Sequence, residues 1–133
     1  MALMHVNCYS KTLHQHISLD VLLPTEFEGD RFPPDYKWPT MYLLHGLSDD
    51  HTVWQRWSSL ELKLSGLPLA VVMPTTLRGF YTDMKYGPAY FTFISQELPK
   101  LCEQFFHLSP LREDRFAAGL SMGGYGAIKL GLL

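Results

Sequence analysis

Two cysteines, Cys8 and Cys102, are all that the 133 residues hold, and they lie far apart with no partner motif. A disulfide framework is thereby excluded, and free buried thiols in a reducing compartment are expected. No block of Lys and Arg stands out: 11 basic residues against 13 acidic ones give a formal net charge of −2, so neither nucleic acid nor an anionic membrane is expected as a partner. No apolar run approaches the roughly 18 residues of a spanning helix, and residues 1–7 lack a basic segment leading into a sustained apolar one, so the expected location is cytoplasmic. Internal repeats, low-complexity tracts and signs of a second domain are missing too. What is present, 47% hydrophobic and 14% aromatic residues, suits one modest globular domain with a small neutral or mildly polar substrate.

The most informative stretch is residues 117–127, AAGLSMGGYGA, which contains G-x-S-x-G as Gly119, Ser121 and Gly123. The preceding Arg115-Phe116-Ala117-Ala118 is short and apolar and suits a buried strand; the small, apolar residues 125–133 suit a helix. Strand, glycine-flanked serine and helix form the context of a nucleophile elbow, in which the serine occupies a strained turn and its neighbours must be small where strand and helix nearly touch. At the helix N-terminus the unpaired amides and the positive end of the dipole face an oxyanion forming on an attacked carbonyl. The Met122 amide is the natural first donor.

In chain order, residues 3–9 and 13–23 alternate as an antiparallel pair of strands, the second with Ile17, Leu19, Val21 and Leu23 on one face and His16, Ser18 and Asp20 on the other. Residues 24–39, with Gly29-Asp30 and Pro33-Pro34 as breakers, read as a surface connection. The continuous apolar run Thr40-Met41-Tyr42-Leu43-Leu44 predicts a strand covered on both faces and leads directly into His45-Gly46-Leu47. That glycine is either a plain strand-ending turn or the bend that offers the Leu47 amide as second oxyanion donor; the elbow downstream favours the second. Two short helices follow within residues 51–66, the second opening on a capping box at Ser58-Ser59-Leu60-Glu61, then a strand over 67–73. Residues 75–90 form a long aromatic loop at the carboxyl end of that strand, where α/β enzymes build pockets; Tyr81 and Trp54 are candidates for pocket wall or for plain packing. From Ala89 onward Tyr90, Ile94, Leu98, Leu101 and Phe105 keep helical spacing, and Pro99 predicts a kink against the carbonyl of Ser95. The alternation of strands and helices indicates an α/β fold, a mostly parallel sheet with helices on both faces.

With these motifs in order, the chain resembles the serine-esterase family of α/β-hydrolases, the group of tributyrin esterases and S-formylglutathione hydrolases. The resemblance is carried by Leu43-Leu44-His45-Gly46, Val71-Val72-Met73-Pro74, Gly79-Phe80-Tyr81-Thr82-Asp83, Tyr86-Gly87, Glu97-Leu98-Pro99 and residues 118–126, and covers almost the whole chain. It implies an α/β-hydrolase fold, Ser121 as nucleophile, the amides of Leu47 and Met122 as oxyanion hole, and a small acyl ester as substrate, with no cofactor and no metal. Residues 1–133 then form the N-terminal portion of a single α/β-hydrolase domain, stopping after the nucleophile elbow.

One departure is large. In this fold an acid and then a histidine follow the serine in chain order, yet the twelve residues after Ser121 contain no Asp, Glu or His. His45 is the nearest substitute base, but its place in the oxyanion loop suits a structural hydrogen bond. His5, His14, His16, His51 and His107 read as surface or strand-face residues. The expectation is a short-chain ester hydrolase whose activity is incomplete in this chain, against an acyltransferase of the same family or an inactive fragment acting only by interaction. The uncovered strand edge predicts self-association.

Overall fold

The computed structural model describes residues 1–25, 32–33 and 35–133. Among them, five strands form one sheet in the order β1-β2-β4-β3-β5: β1 (Ala2–Ser10), β2 (Gln15–Leu23), β3 (Thr40–Leu44), β4 (Ala70–Pro74) and β5 (Arg115–Gly119). β3 runs parallel to both β4 and β5, while β2 is antiparallel to β1 and to β4. The sheet is therefore mixed rather than mostly parallel: the opening hairpin continues the sheet instead of standing beside it. One consequence bears on the site. Antiparallel pairing sets Asp20 level with Met73 and Leu19 level with Pro74, so the middle of β2 reaches the carboxyl ends of the parallel strands.

Helices cover both faces, as the unbroken apolar runs of β3 and β4 require. One face buries Leu19, Val21, Tyr42, Leu44 and Val72 against Tyr90, Phe93, Ile94, Leu98, Cys102 and Met122. The other buries Leu22, Leu43, Val71 and Met73 under Leu64, with Trp54 and Leu60 packed at its margin. Each fully buried aliphatic or aromatic side chain in these layers contributes about 1.5–3 kcal/mol by leaving water. Because β2 has a neighbour on each side and a layer over each face, its simple alternation ends at Leu19; Asp20 and Leu22, on the face expected to be polar, are both buried.

The first layer is supplied by α3 (Tyr90–Thr92), a π-helical segment (Phe93–Glu97) and α4 (Leu98–Phe105), which run on from one another, and by α5 (Met122–Leu132). The segment before Pro99 resolves the expected clash by widening to π geometry, which removes the need for an amide at Pro99. It also aims Glu97 at the β1–β2 turn, where its carboxylate accepts the Ser10 hydroxyl at 2.7 Å and the amides of Lys11 and Thr12 at 2.8 and 3.0 Å. The second layer is α1 (Val53–Trp57) and α2 (Leu60–Leu64). The Ser58 hydroxyl donates back to the Trp54 carbonyl and accepts the Leu60 amide at 3.3 Å, so it caps the second helix while tied to the first; Ser59 caps nothing with its side chain. Of the connection over 24–39, Gly29-Asp30 and Pro34 lie outside the described residues; Trp38 is buried, exchanging backbone bonds with His107 and Ser109. Cys8 and Cys102 are both free, and burial pushes the Cys102 thiol up to about 12.

Candidate active site

Ser121 stands at the junction of β5 and α5, with φ 58° and ψ −117°. A non-glycine residue at that φ costs about 1–3 kcal/mol and persists only where its surroundings impose it. Its neighbours do so by contact. A Cβ added to Gly119 would lie 2.8 Å from Gly123 Cα and closer still to the Gly123 carbonyl; one added to Gly123 would lie 2.7 Å from Leu44 C and 2.8 Å from His45 O. Gly119 is thus forced by the approach of α5 to β5 and Gly123 by the approach of α5 to the end of β3, and Gly126 is similarly pressed on Tyr81 and Leu44. The serine is exposed and occupies the helix N-cap, yet its hydroxyl makes no capping bond. It is a serine held at a helix start with its oxygen unspent on the helix.

Two amides are candidates for holding a negative oxygen here. Met122 opens α5, so its amide has no carbonyl one turn earlier to bond, and its side chain is buried beneath the elbow. Across from it is the loop after β3, which carries Leu47: a Cβ on Gly46 would lie 3.8 Å from Ser121 Cβ and 3.3 Å from the Leu120 carbonyl, so the loop comes up to the serine at Gly46. The loop closes on itself through Asp49 N–H to the Gly46 carbonyl, with Ser48 in a left-handed conformation at φ 72°.

His45 is fully buried, and both its nitrogens are engaged. Nδ1 is 2.7 Å from the Gly46 carbonyl, which can only accept, and Nε2 is 3.0 Å from the Thr76 amide, which can only donate. The ring is therefore neutral with its proton on Nδ1, and it ties the loop after β3 to the end of β4. The expected structural role is what the geometry supports. Tyr81 lies beneath, fully buried, its hydroxyl donating to the His45 carbonyl at 2.8 Å. Burial pushes its phenol well above the usual range. Of the two alternatives for Tyr81, packing holds and pocket wall does not, because no surface is left to face a ligand. Trp54 packs on the second core layer, under the opposite face of the sheet from Met122. A ring contact that motif reasoning did not single out lies nearer the serine: Phe80 meets Tyr125 edge-on at 6.3 Å, both half exposed, and Tyr125 is one turn after Ser121. The loop carrying Phe80 is tied down by Asp83, which accepts the Thr92 amide and hydroxyl, and by Lys129 on the Tyr81 carbonyl. Burial works against ionisation of Asp83, but the Thr92 bonds hold its carboxyl below the usual range.

A groove of about 550 Å³ lies elsewhere: Phe91, Ile94, Phe116, Leu130 and Leu133 line it at the far end of α5, along the edge of β5. Among the described residues no group of three or more His, Cys, Asp and Glu is placed to hold a metal ion, and no helix is long and apolar enough to cross a membrane.

Residues 10–133 match the family model described as "Putative esterase". The chain belongs to this esterase family. Among its relatives, an acetyl esterase of Caldicellulosiruptor saccharolyticus is 32% identical over 136 residues, a match covering 99% of this chain and 51% of that one. Among solved structures, the substrate-bound fluorophosphonate-binding serine hydrolase F of Staphylococcus aureus superposes with a TM-score of 0.88 at 40% identity, over 98% of this chain and 51% of the other. The S-formylglutathione hydrolase of the same organism gives 0.84 at 40% identity, over 98% and 52%. The fold is that of the α/β-hydrolases, and the chain spans about half the length of these esterases. Motif reading within the family points to Ser121, Met122 and the His45-Gly46-Leu47 loop; it passes over Thr75 and Thr76, which bond His51 and His45 at the two ends of that loop, and over Asp20, buried 3.9 Å from His51 Nε2. The available signal was Asp20 itself, a carboxylate inside the aliphatic run of β2.

Proposed function

We propose that this chain carries the nucleophile and oxyanion half of a serine esterase acting on short-chain acyl esters. Ser121 Oγ attacks the acyl carbon and the carbonyl electrons move to oxygen, where the Leu47 and Met122 amides hold the charge. The alcohol then leaves with a proton and the acyl group stays on Ser121; water attacks next, releasing the acid and restoring the hydroxyl. The observation that carries this reading is the imposed φ of 58° at a serine whose hydroxyl is not spent on its own helix. A 40%-identical relative that binds fluorophosphonates supports a reactive serine at this position.

A serine hydroxyl is a weak nucleophile without a base, and the base needs an acid to orient it. No Asp, Glu or His follows Ser121, and both nitrogens of His45 are engaged. Residues 1–133 alone are therefore expected to hydrolyse a short-chain aryl ester at background rate, unchanged by Ser121→Ala. Fused to the second half of the acetyl esterase relative, they are expected to turn over in a Ser121-dependent way. No turnover by the fusion would count against this reading. Turnover by residues 1–133 that Ser121→Ala abolishes would refute the structural role given to His45.

A further inference from the structure

Asp20 is 1% exposed on β2, between Leu19 and Val21. A buried carboxylate is costly unless paired, and an aliphatic residue there would cost less, so packing alone does not account for it. Its partners are two histidines. His5, its cross-strand neighbour on β1, brings Nδ1 to 2.6 Å from Asp20 Oδ1. His51, in the loop after β3, brings Nε2 to 3.9 Å from the same oxygen, with its side chain only 22% exposed. The other side of the His51 ring meets Thr75, just past β4: Nδ1 is 2.7 Å and the His51 backbone nitrogen 2.8 Å from the one oxygen Oγ1.

The bonding can be assigned. A threonine hydroxyl offers one proton and two acceptor lone pairs. It accepts the His51 amide proton, and a carboxylate facing Nε2 favours the tautomer with the proton on that side, which leaves Nδ1 to accept the Thr75 proton. At 3.9 Å Asp20 acts on the ring through its charge and not through a hydrogen bond, and ring and hydroxyl together fix the backbone of residue 51. The loop after β3 is then fastened at both ends to the adjacent pair Thr75-Thr76: His45 to the Thr76 amide at its start, His51 to Thr75 at its close. Gly46 to Asp50 are suspended between the two.

We propose that Asp20, His51 and Thr75 are positioning residues that hold the loop carrying the Leu47 amide in the shape needed beside Ser121. This rests on the reading of Ser121 as nucleophile, but it is tested without turnover, so either can fail alone. ¹⁵N spectra of the 133-residue chain should show His51 with its proton on Nε2, a preference weakened in Asp20→Asn. Thr75→Val keeps the shape and removes the oxygen; exchange of the Asp49 amide, which bonds inside the loop, should speed up at least tenfold while the β4 amides of Val71 and Val72 stay unchanged. Thr75→Ser should restore the wild-type rate. The proposal is overturned by a His51 proton on Nδ1, by Asp49 exchange unchanged in Thr75→Val or raised equally in β4, or by a wild-type Asp49 amide as unprotected as in an unstructured peptide.

Discussion

Replacing Gly123 with alanine adds one carbon where the first turn of α5 already touches the end of β3. That carbon would stand 2.7 Å from Leu44 C and 2.8 Å from His45 O, with the Leu44 carbonyl oxygen nearer still, whereas ordinary contact begins at 3.4 Å. The second and third neighbours would have to retreat by 3.4 − 2.7 = 0.7 Å and 3.4 − 2.8 = 0.6 Å, and the first by more. All three are backbone atoms, two of them in a buried strand, so no flexible side chain can yield. Overpacking of this kind costs about 1–3 kcal/mol, and the rigid partners set the expectation at the upper end. For a chain of this size that is a fall of roughly 8–12 °C in Tm. Gly131 provides the opposite case on the same helix: a Cβ there meets nothing within 4 Å, so Gly131→Ala should stabilise by up to about 1 kcal/mol through helix propensity alone. Thermal or urea unfolding of both variants at one protein concentration decides the matter. Equal stabilities for Gly123→Ala and wild type would refute the tight approach of α5 to β3, and with it the reason for the second glycine of the motif.

Three more outcomes are expected. Ser121→Gly should raise stability by about 1 kcal/mol, because glycine adopts a positive φ without strain, and Ser121→Ala should not; equal urea midpoints would remove the claim of strain. Burial works against ionisation of Glu97, but bonds from Thr12, Ser10 and the Lys11 and Thr12 amides hold its carboxyl below its ordinary 4.5. A carboxyl lowered in the folded state adds stability that is fully present above that value and lost as pH falls through the folded one, so Glu97→Gln should flatten the acid limb of a stability–pH curve below about pH 4.5. Finally, Phe116 on β5, the outermost strand among the described residues, and Ile128, Leu132 and Leu133 toward the end of α5 are exposed, so the chain should associate as concentration rises in sedimentation, and Phe116→Lys should weaken that; a concentration-independent monomer would count against it.

Elements made of one kind of residue were legible from the sequence. The apolar runs of β3 and β4, the alternation of β1 and the glycine-flanked serine each carry their signal within a few neighbouring positions. What was not legible depends on partners far away in sequence. Asp20 reads as solvent-facing because alternation cannot tell that a helical layer covers the second face of β2. Tyr81 reads as a pocket candidate because a glycine-rich loop looks open, while its ring fills the space that Gly126 leaves. Ser58 and Ser59 match a capping pattern, and Ser58 does accept the Leu60 amide, but its return bond to Trp54 arises only because the preceding helix ends at Trp57, one residue away.

The π-helical segment at Phe93–Glu97 also has a meaning for comparing lengths among relatives. A π turn holds one more residue than an α turn, and one residue is about 100° of rotation around a helix. Deleting any single position between Phe93 and Glu97 would let the helix close into regular geometry with Tyr90 and Leu98 still facing the sheet, because the wide turn and a regular turn each complete one revolution. An alignment gap of one residue here therefore marks the loss of the wide turn and leaves both halves seated as they are, whereas the same gap inside the regular part of α4 would turn the residues on its two sides by about 100° against each other.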